Sequence, residues 1–93
     1  MAAHGARNAL PPDVAQTLRR AFAGEVAARL PHLRDAADLE LARLDVHTLA
    51  SSAVVVGEQD LGVLARQVED QLAQGDVTGD LQSLVVALEG FAP

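Results

Sequence analysis

The apolar residues of this chain recur at intervals of three or four, and that spacing restricts the fold more than any other feature of the sequence. Such intervals place side chains on one face of an α-helix, whereas a strand needs strict alternation. The only β-branched run, Val54 to Val56, continues the helical pattern of its neighbours. Prolines and glycines separate the periodic segments, so the pattern predicts four amphipathic helices and no strand.

The first predicted helix begins at Pro11 and Pro12, since proline is favoured in the first turn of a helix. A kink is expected at Pro31, whose ring removes one backbone hydrogen bond. The apolar face of this helix consists of Val14, Leu18, Phe22, Val26, Leu30, Leu33 and Ala37. Residues 1–10 have no sustained period and are expected to form a flexible lead-in, with or without a short extra turn, before a single domain over residues 11–93.

Capping residues and glycines bound the other three helices. Asp38 is the expected N-cap of a helix from about Leu39 to Gly57, and Gly75 is expected to end the third helix. The sequence leaves open whether the fourth helix begins at Asp76 or Asp80. The apolar faces of the last two helices consist of Leu61, Leu64, Val68 and Leu72, and of Leu81, Leu84, Val85 and Leu88. Four such helices with short connections predict an all-α, antiparallel up-and-down four-helix bundle.

Composition limits the classes of function. The 93 residues are 49% hydrophobic, which is enough for one domain with a single core and leaves no room for a second domain. A net charge of −6, with seven arginines and no lysine, argues against nucleic-acid and anionic-membrane partners. The absence of cysteine excludes disulfides and thiolate chemistry. Without a signal peptide or a long apolar run, we expect a soluble cytoplasmic protein.

The second helix has an asymmetric surface when it is projected at about 100° per residue. Its expected core face consists of Leu41, Leu44, Thr48, Leu49, Ser52, Val55 and Val56. His47 falls outside that face, on a side that it shares with Glu40, Arg43, Ala50, Ser51, Val54 and Glu58. An imidazole is therefore predicted to lie near solvent among small residues.

The residues around His47 resemble the signature of the histidine phosphotransfer (HPt) domain family. The matching residues are His47-Thr48-Leu49-Ala50-Ser51-Ser52-Ala53, followed by Gly57, Leu61, Leu64, Val68 and Glu69. The resemblance implies a four-helix bundle in which His47 accepts a phosphoryl group from a receiver-domain aspartate and relays it to another receiver. It also implies receiver domains and a hybrid histidine kinase as partners, no ATP site on this chain, and no cofactor, because the receiver supplies Mg²⁺.

Two positions depart from the family pattern. Ala50 stands where the family usually has a lysine, and Ser51 stands where it usually has a glycine. We hypothesise that Arg43, one turn before His47, supplies the missing positive charge and that the Ser51 hydroxyl contacts the phosphoryl group. Arg43 has an equally weighted alternative as a surface ion pair with Glu40. Candidates for partner contact are Ala50, Val54 and Glu58.

Other functions stay open at this stage. The main alternative is a degenerate HPt-like or generic four-helix interaction module that binds receivers or kinases without efficient transfer. An enzyme with its own pocket is not expected, since a small bundle offers no evident cavity. No metal site is expected either, because His4 and His32 lack helical spacing to His47. A monomer suits a surface that meets several partners, whereas the cognate kinase, the cognate regulator and the direction of phosphate flow are not determined.

Overall fold

The computed structural model describes residues 10–92, which form an all-α fold with no strand in that range. The helices are α1 (Pro12–Asp35), α2 (Leu39–Val55), α3 (Gln59–Ala73) and α4 (Leu81–Glu89). The predicted lead-in and its extra turn lie outside the described residues, apart from Leu10. The prediction of four helices and no strand is confirmed for the described part of the chain.

The helices pack in the order in which they occur in the chain. Helix α1 contacts α2 and α4, and α3 contacts the same two helices, whereas no contact joins the diagonal pairs α1–α3 and α2–α4. Sequential neighbours joined by short connections run antiparallel, so the predicted up-and-down four-helix bundle is confirmed. The contact between α2 and α3 is the most extensive, and the candidate site lies on this pair.

Local sequence signals account for most helix boundaries. The Asp38 side chain accepts a hydrogen bond from the Leu41 amide at 3.1 Å, as predicted for an N-cap. Helix α1 continues through Pro31 and ends where Ala36 adopts a left-handed φ of 50°, with its amide bonded to the His32 carbonyl. The kink expected at Pro31 stays a prediction.

The start of α4, which the sequence left open, is fixed by a contact between helices. The Gln71 side chain accepts a hydrogen bond from the Asp80 amide and donates one to the Asp80 carboxylate, both at 2.8 Å. Because these bonds hold Asp80 against α3, α4 begins at Leu81 rather than near Asp76. Gly75, after α3, has a φ of 78°, a left-handed conformation that glycine adopts without strain.

The core is almost entirely aliphatic and agrees with the faces predicted for α1, α3 and α4. Its members from these helices include Phe22, Val26, Leu30, Leu33, Leu61, Val68, Leu72, Leu81, Leu84, Val85 and Leu88. The two aromatic rings of the chain, Phe22 and Phe91, meet edge to face with centroids 5.4 Å apart. Two residues of the predicted α1 face were wrong: Val14 is exposed in a first turn that does not reach this core, and Ala37 is exposed beyond the end of α1.

The core face predicted for α2 was wrong in its rotation about the helix axis. Leu41, Leu44 and Val55 are exposed, by 39, 50 and 61% respectively. The buried residues of α2 are instead Ala42, Asp45, Val46, Leu49, Ala50 and Ala53. Helix α3 approaches α2 closely at Gly62, where an added Cβ would lie only 3.0 Å from Val54 Cγ2 and 3.5 Å from the Ala50 carbonyl oxygen. The face of α2 that packs in the core therefore contains more small residues than the leucine face that was predicted.

Candidate functional site

His47 lies in the middle of α2, on the side that faces α3, and its side chain is 60% exposed. Its Nδ1 is 2.8 Å from Oε2 of Glu69, which projects from α3 and is only 20% exposed. The sequence placed His47 outside the core, and the structure confirms that position. It also adds a carboxylate partner from the neighbouring helix, a contact that the helical period of α2 does not predict.

The contact with Glu69 determines which nitrogen of His47 can react. A carboxylate accepts a hydrogen bond from Nδ1–H and thereby favours the tautomer whose lone pair lies on Nε2. The same carboxylate stabilises a positive charge that develops on the ring. The His47 imidazole is therefore oriented by Glu69 and largely exposed to solvent, rather than held in the core by hydrogen bonds to both nitrogens.

Arg43 lies one turn before His47 and is engaged by Glu40. Its Nη2 donates to Glu40 Oε1, and its Nε is 3.4 Å from Glu40 Oε2. This hydrogen bond and the opposite charge lower the pKa of Glu40 and raise the pKa of Arg43, with a smaller effect of the Glu69 charge on Arg43 in the same direction. The surface ion pair with Glu40, which was the alternative role expected for Arg43 from the sequence, is thus present. The arginine stands beside the carboxylate that holds His47.

Ser51 is exposed one turn after His47. Its hydroxyl donates a long hydrogen bond of 3.4 Å to the His47 backbone carbonyl. A hydroxyl bonded to the preceding turn keeps its lone pairs available as acceptors and can rotate to donate elsewhere. The structure brings Ser51 next to His47, while its contact with a phosphoryl group stays a hypothesis.

The predicted partner-contact residues do not form one surface. Val54 is 40% exposed, in agreement with its predicted position on the outer face. Glu58 lies beyond the end of α2, where it is partly buried and forms an ion pair with Arg19 of α1 at 3.6 Å. The placement of Ala50 on the outer face was wrong, because this residue is 1% exposed against α3. Its side chain is too short to reach out of that contact as a lysine would.

Leu44, and not Ala50, is exposed on the turn of α2 next to His47. It is half-exposed one turn before His47, although the sequence placed it in the core. The exposed surface of α2 around the imidazole therefore consists of Leu44, Ser51, Val54 and Val55, which we call the His47 face. Exposed apolar residues thus lie on the same surface as the exposed imidazole, and patches of this kind are common where proteins bind one another.

His47 lines neither of two depressions on the surface formed by residues 10–92. The two surface depressions found, of about 120 and 580 Å³, lie near the C-terminal end of α2, lined by residues such as Leu18, Phe22 and Val55 and by Leu10, Val54 and Gly57. Within residues 10–92, no group of three or more histidine, aspartate or glutamate side chains is arranged to hold a metal ion. No helix in the described range has the length and apolar character needed to cross a bilayer. The His47 side chain lies on the surface of the bundle, where it is 60% exposed.

Comparison with known proteins identifies a family. A sequence model of the Hpt domain family matches residues 6–90, nearly the whole chain. Neither the comparison with curated proteins nor the comparison with solved structures produced a match. The matched range contains all four helices as well as His47 and Glu69.

Proposed function

The chain belongs to the Hpt domain family, and on that premise we propose that His47 accepts a phosphoryl group from a receiver-domain aspartate and relays it to a second receiver. Hpt domains carry phosphoryl groups in two-component phosphorelays, where they interact with receiver domains and kinases, and they have no ATP site of their own. The observation that carries the proposal is the exposed His47 imidazole with its Nδ1 held by Glu69 at 2.8 Å.

The proposed transfer needs only a few groups from this chain. Nε2 of His47 attacks the phosphorus of the aspartyl phosphate, an N–P bond forms, the P–O bond breaks, and the aspartate leaves as a carboxylate. The ring then carries a positive charge that Glu69 stabilises through Nδ1–H. The receiver supplies Mg²⁺, which offsets the charge of the phosphoryl oxygens. Return of the group to a second receiver reverses these steps.

The His47 face is the proposed receiver-docking surface. Its exposed apolar side chains lie close to the imidazole, and its composition resembles the apolar centre of a protein interface. We extend the proposal to the partners expected from the sequence, namely receiver domains and a hybrid histidine kinase, with the chain acting as a cytoplasmic monomer.

One observation favours a second candidate, a receiver-binding module without efficient transfer. The family lysine is replaced by the buried Ala50, and the nearest arginine, Arg43, is engaged by Glu40. A phosphoryl group on His47 would then lack a cation unless Arg43 exchanges partners. This candidate keeps the same docking face and predicts binding without stable label.

The proposal is tested by incubating the chain with a receiver domain that carries radioactive phosphate. The expected product is a label on this chain that is labile in acid and stable in base, as is typical of a phosphoramidate, and it forms only when the phosphorylated receiver is present. Receiver binding without label would contradict transfer and support the interaction module. The absence of both binding and label would contradict both candidates.

Arg43→Ala is expected to lower the rate of phosphoryl uptake by about two- to fivefold and to shorten the lifetime of phosphohistidine, since an exposed charge contributes modestly. The matched control is Arg34→Ala, which removes another exposed, ion-paired arginine that is bonded to Glu89 of α4. Rates and lifetimes are measured from labelled protein over time. Unchanged values in Arg43→Ala would show that the arginine forms only a surface ion pair.

Leu44→Ser is expected to weaken binding of the receiver by about tenfold, because one leucine that becomes buried at an interface contributes on that scale. Val86→Ser is the control, since Val86 is similarly exposed but lies on α4, which does not contact α2. Titration calorimetry or fluorescence anisotropy measures both affinities. Equal losses in the two variants would contradict docking on the His47 face.

A further inference from the structure

Asp45 is the only buried charged residue in the part of the chain that the structure describes. It projects from α2 towards α1, where its Oδ2 is 2.8 Å from Nδ1 of His32 and its Oδ1 is 3.5 Å from Nε of Arg29. The Arg29 Nε is buried and has no hydrogen-bond partner at this distance. A buried carboxylate with incomplete pairing contributes little to stability, so its role needs another explanation.

The exposed leucines of α2 indicate what Asp45 does. Apolar burial alone would favour a rotation of α2 that turns Leu41, Leu44 and Val55 inwards, and these residues are instead exposed. That alternative rotation differs from the observed one by about a third of a turn on a helical projection of about 100° per residue. It would move Asp45 from the edge of the core, beside His32 and Arg29, to the middle of the buried face. A carboxylate without partners in that position is strongly disfavoured.

We propose that Asp45, held by His32 and Arg29, is a positioning residue that sets the rotation of α2 and thereby places His47 beside Glu69. In the observed rotation, one side of α2 directs Asp45 towards α1 and the other directs His47 towards Glu69 of α3. In the alternative rotation, His47 moves away from α3 and loses Glu69, while Ala50 becomes exposed and Leu44 becomes buried. Buried polar groups that specify one packing over another are known from helical assemblies.

The rotation can be measured directly because the chain contains no cysteine. Leu44→Cys and Ala50→Cys are introduced separately, and the rate of thiol labelling reports the exposure of each position. In the otherwise unchanged chain, Cys at position 44 is expected to react rapidly and Cys at position 50 slowly, since the native residues are 50% and 1% exposed. The ratio of the two rates therefore identifies the rotation.

Asp45→Leu is expected to lower that ratio by at least about tenfold, because the labelling rates follow the populations of the two rotations. Asp45→Asn is the conservative control: it keeps the shape and an acceptor for Arg29 or His32, so it is expected to retain most of the ratio. Asp45→Ala is a second variant that removes the charge, and it introduces a residue type that α2 already buries at Ala42 and Ala53. It is expected to change the labelling ratio in the same direction as Asp45→Leu. Circular dichroism and cooperative unfolding establish that each variant is folded.

A spectroscopic signal separates positioning from general stability. Nitrogen NMR of the His47 ring reports the Nδ1–H tautomer, which is expected to be lost in Asp45→Leu and retained in Asp45→Asn. The expected effect of Asp45→Leu on phosphoryl uptake rests on the proposed function. The thiol-labelling ratio and the NMR signal of the His47 ring do not. A loss of transfer without either change would therefore contradict the positioning role and leave the role of His47 intact.

Two results would overturn the inference. The first is a folded Asp45→Leu variant that keeps the original labelling ratio and the His47 tautomer. The second is equally fast labelling at both positions in Asp45→Leu and Asp45→Ala, together with loss of helical signal, because Asp45 would then be required for folding rather than for rotation.

Discussion

Replacement of His47 by glutamine is expected to abolish phosphoryl uptake from a phosphorylated receiver, with a fall of more than about 1,000-fold, because the substitution removes the nucleophile itself. Glutamine has a similar size and stays compatible with an exposed helical position, so the fold is expected to be unchanged. Its neutral amide has no lone pair of comparable basicity, and no N–P bond can form under the same conditions. The measurement is the initial rate of label transfer at matched protein and receiver concentrations.

The control is His4→Gln, which removes a histidine that precedes the described residues and matches no part of the HPt signature. This variant is expected to take up label at the rate of the unchanged chain. Receiver affinity is measured in parallel, and His47→Gln is expected to keep it because Leu44 and Val54 still form the docking face. Label that persists in His47→Gln at its original rate would place the acceptor elsewhere on the chain.

The parts of the fold that the sequence predicted correctly depend on local or strongly apolar signals. The Asp38 cap concerns residues three apart, and the faces of α1 and α4 contain large aliphatic residues with no competing face. The rotation of α2 could not be predicted in this way. Hydropathy gives the leucines at positions 41 and 44 more weight than alanines, whereas the observed buried face of this helix contains Ala42, Ala50 and Ala53.

In the candidate site, the exposed position of His47 could be predicted from the sequence, but its contacts could not. His47 was identified from its solvent side and from the motif, but the contact with Glu69 joins residues 22 positions apart on different helices. The motif register that extended to Glu69 was the one sequence signal for this contact. Asp45 had no such signal, because its partners on α1 become apparent only once the helices are packed.

Glu69→Ala is expected to lower the rate of phosphoryl uptake by about 10- to 100-fold, because a carboxylate that orients a histidine commonly contributes on that scale. Without Glu69, the His47 ring samples both tautomers and more than one orientation, and the positive charge that forms on phosphorylation has no nearby carboxylate. The expected change lies in the rate of transfer at saturating receiver rather than in receiver affinity, since Glu69 is mostly buried beneath the imidazole. A series of single-turnover measurements at increasing receiver concentration separates these two quantities.

Asp70→Ala is the matched control for this experiment. Asp70 is the next residue on α3, is exposed, and carries the same charge, so its removal changes the net charge of the chain equally without touching His47. If the two variants lost transfer to the same extent, the effect of Glu69 would be one of overall charge and not of orientation. The expected difference between them instead isolates the 2.8 Å contact with Nδ1. The lysine that Hpt domains usually carry is absent here. Orientation of His47 by Glu69 is therefore expected to contribute a larger share of the transfer rate than it would if a fixed cation lay beside the phosphoryl group.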